Sequence, residues 1–142
     1  MNATRVSRVL VVFVLSLLTA ACGAFGGANL PTHHDWGGES PATPEAGRLV
    51  LSGDCVSLVN DQLHETWLVV WPPGTSRNGV DIVGPGGNEL ARVCDEVTLE
   101  GGEYDSTEVA SQLAAPIPTA CLTNLYWLVA NVTVDNGPTA SP

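Results

Sequence analysis

Thr66-Trp67-Leu68-Val69-Val70-Trp71-Pro72-Pro73-Gly74 is the stretch on which the fold turns. Its first six residues are continuous, β-prone and mostly apolar, so they read as a central strand buried on both faces; a half-exposed strand would alternate. Pro72 and Pro73 end the strand abruptly, because proline cannot donate to a ladder.

The same punctuation recurs outward in both directions. Upstream, Arg48-Leu49-Val50-Leu51 is a short β-rich run closed by Ser52-Gly53-Asp54, a turn or bulge signal. Cys55 to Val59 alternates against Ser57 and ends at Asn60-Asp61-Gln62. Downstream, a loop through Arg77-Asn78-Gly79 leads to a strand over Val80 to Val83. Gly84-Pro85-Gly86-Gly87-Asn88 is the clearest hairpin turn, and Glu89 to Val93 pairs back from it. Val97-Thr98-Leu99 is a further short strand ended by Glu100-Gly101-Gly102. A helix is expected over Asp105 to Leu113: Asp105 and Glu108 form a capping box, and Pro116 and Pro118 forbid continuation. Leu125 to Val134 is the long closing strand, and residues 136–142 form a frayed tail.

About six short strands with turn signals every eight to twelve residues indicate an all-β protein. No helical pattern alternates with the strands, which argues against a parallel α/β sheet. A small closed or partly open antiparallel barrel, OB-like or sandwich-like, with one short helix is expected, because closure removes exposed edges. The domain spans residues 47–135, and Trp67, Trp71 and Trp127 belong to its core.

The chain opens differently. Arg5 and Arg8 precede an apolar run, Val9 to Leu18, and the small residues Thr19, Ala20 and Ala21, the three parts of a secretory signal over residues 1–21. The run is shorter than the roughly 20 residues that a spanning helix needs. Thr19-Ala20-Ala21-Cys22 resembles the lipobox of bacterial lipoproteins, with Thr19 where leucine is usual and Leu18 one step back. The resemblance implies a diacylglyceryl group on the Cys22 sulfur and cleavage just before it. The expected address is the extracytoplasmic face of the cell membrane, and the first partner is the membrane itself. Two or more acyl chains anchor firmly where one does so only marginally.

Without its leader the chain keeps Arg48, Arg77 and Arg92 and no lysine, against 15 acidic residues, a formal charge of −12. Such a field repels phosphate backbones, so no nucleic-acid partner is expected. Residues 22–46, the lipidated cysteine and the linker behind it, are rich in glycine and proline and read as a disordered tether. A flexible coil of this length holds its ends about 25–30 Å apart. His33-His34-Asp35, with Glu39 nearby, has metal-ligating side chains without the spacing or rigidity of a site. Trp36 is an exposed aromatic able to dip into a membrane interface.

The domain loosely resembles a group of small uncharacterised bacterial secreted proteins and lipoproteins. Gly53-Asp54-Cys55-Val56, Leu68 to Gly74, Ala91 to Val97, Gly101-Gly102-Glu103 and Cys121 carry the likeness. These are turns and strands, and they import no activity. Once the lipid takes Cys22, the cysteines Cys55, Cys94 and Cys121 allow three pairings. The resemblance favours a Cys55–Cys121 disulfide, which also joins the first and last thirds of the domain. Cys94 stands where the group usually has a Gly-Asp turn, and is expected as a buried small hydrophobe. A nucleophilic Cys94 with His64 as base lacks any framing motif, and zinc lacks a C-x-x-C pair.

Glu100, Glu103, Asp105 and Glu108 cluster around Gly101-Gly102. A solvated acidic loop entering a capped helix accounts for them. A calcium module would need their oxygens wrapped on one loop, and a hydrolase of envelope polysaccharide would need two at fixed separation across a cleft. No metal or other cofactor is expected. The leading expectation is a lipid-anchored, non-catalytic binding or interaction module of the cell envelope, with an envelope protein or a glycan as its partner.

Overall fold

The computed structural model describes residues 27–37 and 39–135. The leader, Cys22 and the tail over 136–142 lie outside the described residues. The strands are β1 (Gly27–Ala28), β2 (Thr43–Ser52), β3 (Cys55–Asn60), β4 (Glu65–Val70), β5 (Ser76–Asn78), β6 (Asp81–Val83), β7 (Glu89–Arg92), β8 (Glu96–Asp105) and β9 (Leu125–Val134). Two 3-10 turns, Val109–Ser111 and Thr119–Cys121, interrupt the connection from β8 to β9.

Five strands close a barrel in the order β2-β3-β4-β9-β8. All its pairs are antiparallel except β4–β9, which runs parallel with Val69 opposite Trp127. The fold is the expected all-β barrel, OB-like in strand order rather than two stacked sheets, but mixed rather than wholly antiparallel as expected. The parallel pair is possible because β5 to β8 lie in the connection, ample length for a crossover. The remaining strands form a small sheet, β1-β5-β6-β7, in which β5 to β7 come from that connection and β1 joins from the N-terminal side. Ile82 and Ala91 join the apolar cluster of the barrel interior, so the small sheet shares the barrel's core. Its hairpin is the one expected, with Gly84 N–H donating to Asn88 O at 2.9 Å.

β2 does two tasks. Thr43 to Arg48 pairs with β8, and Arg48 to Ser52 pairs with β3. Gly47 sits at the change-over, where a Cβ would lie 2.5 Å from Val59 O. Four of the six β2–β8 pairs, from Thr43 to Ala46, therefore come from residues that read as tether. Their ladder is made of backbone, which needs no apolar side chains, and Pro44 is tolerated because this half of β2 has only one neighbour.

The earlier part of that stretch is structured too. Leu30 and His33 are buried. Trp71 N–H donates to Pro31 O at 2.9 Å, His33 N–H to Trp71 O at 3.0 Å, and His34 N–H to Gln112 O at 2.8 Å. Residues 29–37 thus form a strap across the barrel wall, and the expectation of a disordered tether is corrected here. Trp36 is half-buried and stacked on His33, with ring centroids 3.9 Å apart, rather than a free aromatic.

The helix expected over Asp105 to Leu113 shrinks to the turn Val109–Ser111. Its capping box forms: Glu108 N–H donates to Asp105 Oδ1 at 2.9 Å, and Asp105 N–H to Glu108 Oε2 at 3.3 Å. The strap then takes the backbone a helix would have used, since Ala114 N–H donates to Thr32 O at 2.8 Å. β8 also runs on through Gly101-Gly102, where the sequence reads a stop.

Leu68, Val70, Tyr126 and Leu128 face outward from β4 and β9 but are covered by Val109 and Cys121 of the β8–β9 connection. That cover is why β4 is apolar on both faces. Inside the barrel Trp67 and Trp127 meet edge to face, with centroids 5.8 Å apart. Among the described residues no helix is long and apolar enough to cross a membrane.

Candidate functional site

The Cys55–Cys121 disulfide ties the first residue of β3 to the β8–β9 connection, with Cα atoms 5.5 Å apart. β3 alternates, so Cys55 and Ser57 point outward while Val56 and Leu58 enter the core. Thr66 and Leu68 project from β4 on the same outer face. Between this face and residues 120–123 runs a concavity of about 200 Å³, lined by the hydroxyl residues Ser52, Ser57, Thr66 and Thr123. Leu122 stands at its rim, 62% exposed. A second, wider concavity of about 670 Å³ adds Asn29, Gly53, Asp54 and Pro118. The two share Ser52, Cys55, Ala120 and Cys121, so they are halves of one trough that crosses the disulfide.

The walls of the trough are fixed by short-range bonds. Thr123 N–H donates to the Tyr126 hydroxyl at 3.1 Å, which pins the rim to β9. Asp54 accepts from Arg77 Nη2 at 3.0 Å, and Arg77 Nη1 donates to Gly79 O. Arg77 is itself buried, so its charge is satisfied from the trough's far end. From sequence this arginine is marked only as one of three basic residues and by its place in a loop before Gly79. The trough offers hydroxyl donors and acceptors, one exposed leucine and a carboxylate at one end.

The acidic residues around Gly101-Gly102 do not converge. Glu103 Oε2 accepts from Trp67 Nε1 at 2.7 Å, and Glu100 Oε2 from Asn131 Nδ2 at 3.3 Å. Asp105 Oδ1 accepts from the Thr107 hydroxyl at 2.6 Å and from the Thr107 and Glu108 N–H groups. Those three bonds, the hydroxyl foremost, hold the Asp105 carboxyl below the ordinary carboxylate value. Each carboxylate thus has a separate structural partner, which distributes the calcium candidates instead of gathering them. Among the described residues no group of three or more His, Cys, Asp and Glu side chains is placed to hold a metal ion.

His64 adopts φ +56 in the β3–β4 turn and is exposed. Cys94 lies in the turn that leads into β8, half-buried at φ +77. That left-handed backbone is the conformation glycine favours, the physical counterpart of the Gly-Asp turn read there. No described cysteine is free, so the expectation of Cys94 as a buried free thiol is corrected.

His33 lines a third concavity, of about 180 Å³, with Asp35, Trp36, Pro72 and Pro73. Its ring nitrogens lie 2.6 Å from Val129 O and 2.7 Å from His34 O. Comparison with protein-family models, with curated proteins and with solved structures finds no match for this chain.

Proposed function

We propose that this chain is a lipid-anchored binding module of the cell envelope, held at the extracytoplasmic face of the membrane through Cys22. Its ligand-contacting surface is the trough over the Cys55–Cys121 disulfide. The observation that carries this reading is the trough itself: a hydroxyl-lined channel on the outer face of β3 and β4, rimmed by the exposed Leu122. OB-like barrels bind ligands on the corresponding face, an analogy of fold. The disulfide supports an address outside the cytoplasm, where such bonds persist. The separate structural bonds of Glu100, Glu103 and Asp105 support binding as the reading over acid-residue catalysis.

Two measurements test the two halves of the reading. A photo-cross-linking residue at Thr66, on the trough, captures a defined envelope component on intact cells, and the same residue at Glu96 does not. Equal capture at both positions defeats the assignment of the trough. For the anchor, mass spectrometry of the N-terminal peptide finds a diacylglyceryl adduct on Cys22 that survives dithiothreitol, because a thioether is not reduced. An adduct released by dithiothreitol, or an unmodified Cys22, defeats it.

A further inference from the structure

We propose that the small sheet is the face this protein lays on its membrane: a short tether from Cys22 holds the row Gly27, Asn78, Asp81 and Arg92 against the lipid headgroups. The proposal rests on the anchored reading above and adds an orientation to it.

The first observation is a length. β1 begins at Gly27, with four residues between it and Cys22. However those residues are arranged, five Cα steps reach at most about 17–18 Å. A flexible tether through residue 46 would have held its ends about 25–30 Å apart. Much of that stretch is structured instead: β1 pairs with β5, Leu30 is buried, and Pro31 and His33 are bonded to Trp71. The domain therefore stays beside the bilayer that holds its lipid.

The second is register. Gly27 pairs with Asn78, Asn78 with Asp81, and Asp81 with Arg92. The four form one row across the small sheet, about 14 Å wide at ordinary strand spacing. The tether enters at one end of the row, and Arg92 stands at the other. Asn78 and Arg92 are exposed, and Arg92 Nε donates to Asp81 Oδ1 at 2.8 Å on the surface. The opposite face of the sheet turns inward, where Ile82 and Ala91 join the core and Arg77 is buried.

The third is charge. Across residues 76–92, Arg77 and Arg92 balance Asp81 and Glu89. The whole formal charge of −12 behind the leader thus lies outside these strands and their turns. A surface carrying anionic lipid repels the acidic barrel and tolerates the neutral sheet. The Arg92 side chain, 54% exposed, presents a guanidinium to lipid phosphate.

Length and charge together oppose the other poses. Asp54, bonded to Arg77 of β5, marks the small-sheet end of β3, and the turn over residues 61–64 marks the opposite end. β3 is six residues long, about 17 Å of strand. Setting the 61–64 turn on the headgroups would stretch the tether to its limit and bring Asp61 and Glu65 with it. Laying the barrel on β8 would bring Glu96 and Glu100. With the small sheet down, the wide half of the trough, which Asn29 lines directly after β1, lies on the membrane side.

The test uses the full lipidated chain in vesicles of phosphatidylcholine, with a minor share of phosphatidylethanolamine that carries a photoreactive diazirine on its headgroup. After irradiation, mass spectrometry of peptic peptides reads which residues carry lipid. Adducts are expected over residues 76–82 and 89–93 and absent over 60–66. Adducts over 60–66 equal to those on the small sheet, or none on the small sheet of a chain that floats with the vesicles, overturn the orientation. A second chain carries a long Gly-Ser spacer between Phe25 and Gly26, and is expected to float with the vesicles but to lose the small-sheet adducts. Adducts that survive the spacer overturn the tether as their cause. A chain that does not float has no anchor, which defeats the anchored reading and the orientation built on it. A floating chain labelled at the wrong end defeats the orientation alone.

Discussion

Trp67 Nε1 donates to Glu103 Oε2 at 2.7 Å, joining β4 to β8 over the top of β9, which lies between them. The indole is 1% exposed and the carboxylate sits at the barrel mouth. Removing the acceptor leaves a buried N–H without a protein partner. Glu103→Ala is expected to destabilise the fold by about 1–2 kcal/mol in denaturant unfolding, reduced from the full range by water reaching the mouth. Glu103→Gln, which keeps an acceptor, is expected to lose less than half as much. Equal losses would mean that the bond contributes through something other than the acceptor.

The disulfide closes a loop with a sequence separation of 66. In the chain-entropy model such a loop stabilises by about 4 kcal/mol. The double substitution Cys55→Ala/Cys121→Ala is expected to lower stability by about 2–4 kcal/mol at equilibrium. Reduction of the native protein is expected to shift the melting temperature in the same direction. A change below about 1 kcal/mol would show that the connection over β4 and β9 holds without its staple.

Gly101 lies at the irregularity where β8 passes β9, and Ala130 is the extra residue on the partner strand. A Cβ there would stand 1.9 Å from Leu128 O and 3.1 Å from Trp127 Nε1. Backbone cannot give way cheaply, so Gly101→Ala is expected to cost about 3 kcal/mol or to prevent folding. Gly53→Ala is the contrast. Gly53 has φ +61 but nothing within 4 Å, so only the left-handed backbone is penalised, by about 1 kcal/mol.

What reads as a break at Gly101-Gly102 is thus a glycine the barrel requires, and this is a fair measure of how much was legible. Strand β4, the hairpin at Gly84–Asn88 and the closing strand were legible because each carries its own local signal, apolar continuity or turn chemistry. The buried tryptophans followed from the same pattern. The strap and the first half of β2 were not legible, because their bonds run through backbone to residues far along the chain. The helix after Asp105 failed for the matching reason: Gln112 and Ala114 are recruited by the strap. Of the site, the Cys55–Cys121 pair was favoured by the family resemblance rather than by spacing. The trough was invisible, since outward Ser and Thr residues on strands carry no signal until a connection folds over beside them.

Asp105 predicts a pH effect of known sign. Its carboxyl is held below the ordinary value by the Thr107 hydroxyl and by two backbone N–H groups. The stabilisation is present above the unfolded value and is lost as the pH falls through the lower, folded one. The stability gap between the native protein and Asp105→Ala is therefore expected to be constant near neutrality and to narrow as the pH drops below about 4. Urea midpoints at pH 7, 5 and 3 check this. A gap that widens in acid would assign the bonds to the protonated carboxyl.

β9 lies between β4 and β8, yet it is the last described strand in the sequence. Until it is present, β4 and β8 each keep an unpaired edge, and Trp67 lacks the ring it meets. A chain that emerges from a ribosome or a translocation pore N-terminus first can therefore make hairpins but no barrel. Cys121 leaves only shortly before β9, so the staple is also a late event. Pairings so distant in sequence form slowly. The barrel consequently closes in one late step, when β9 enters between strands that were made long before it.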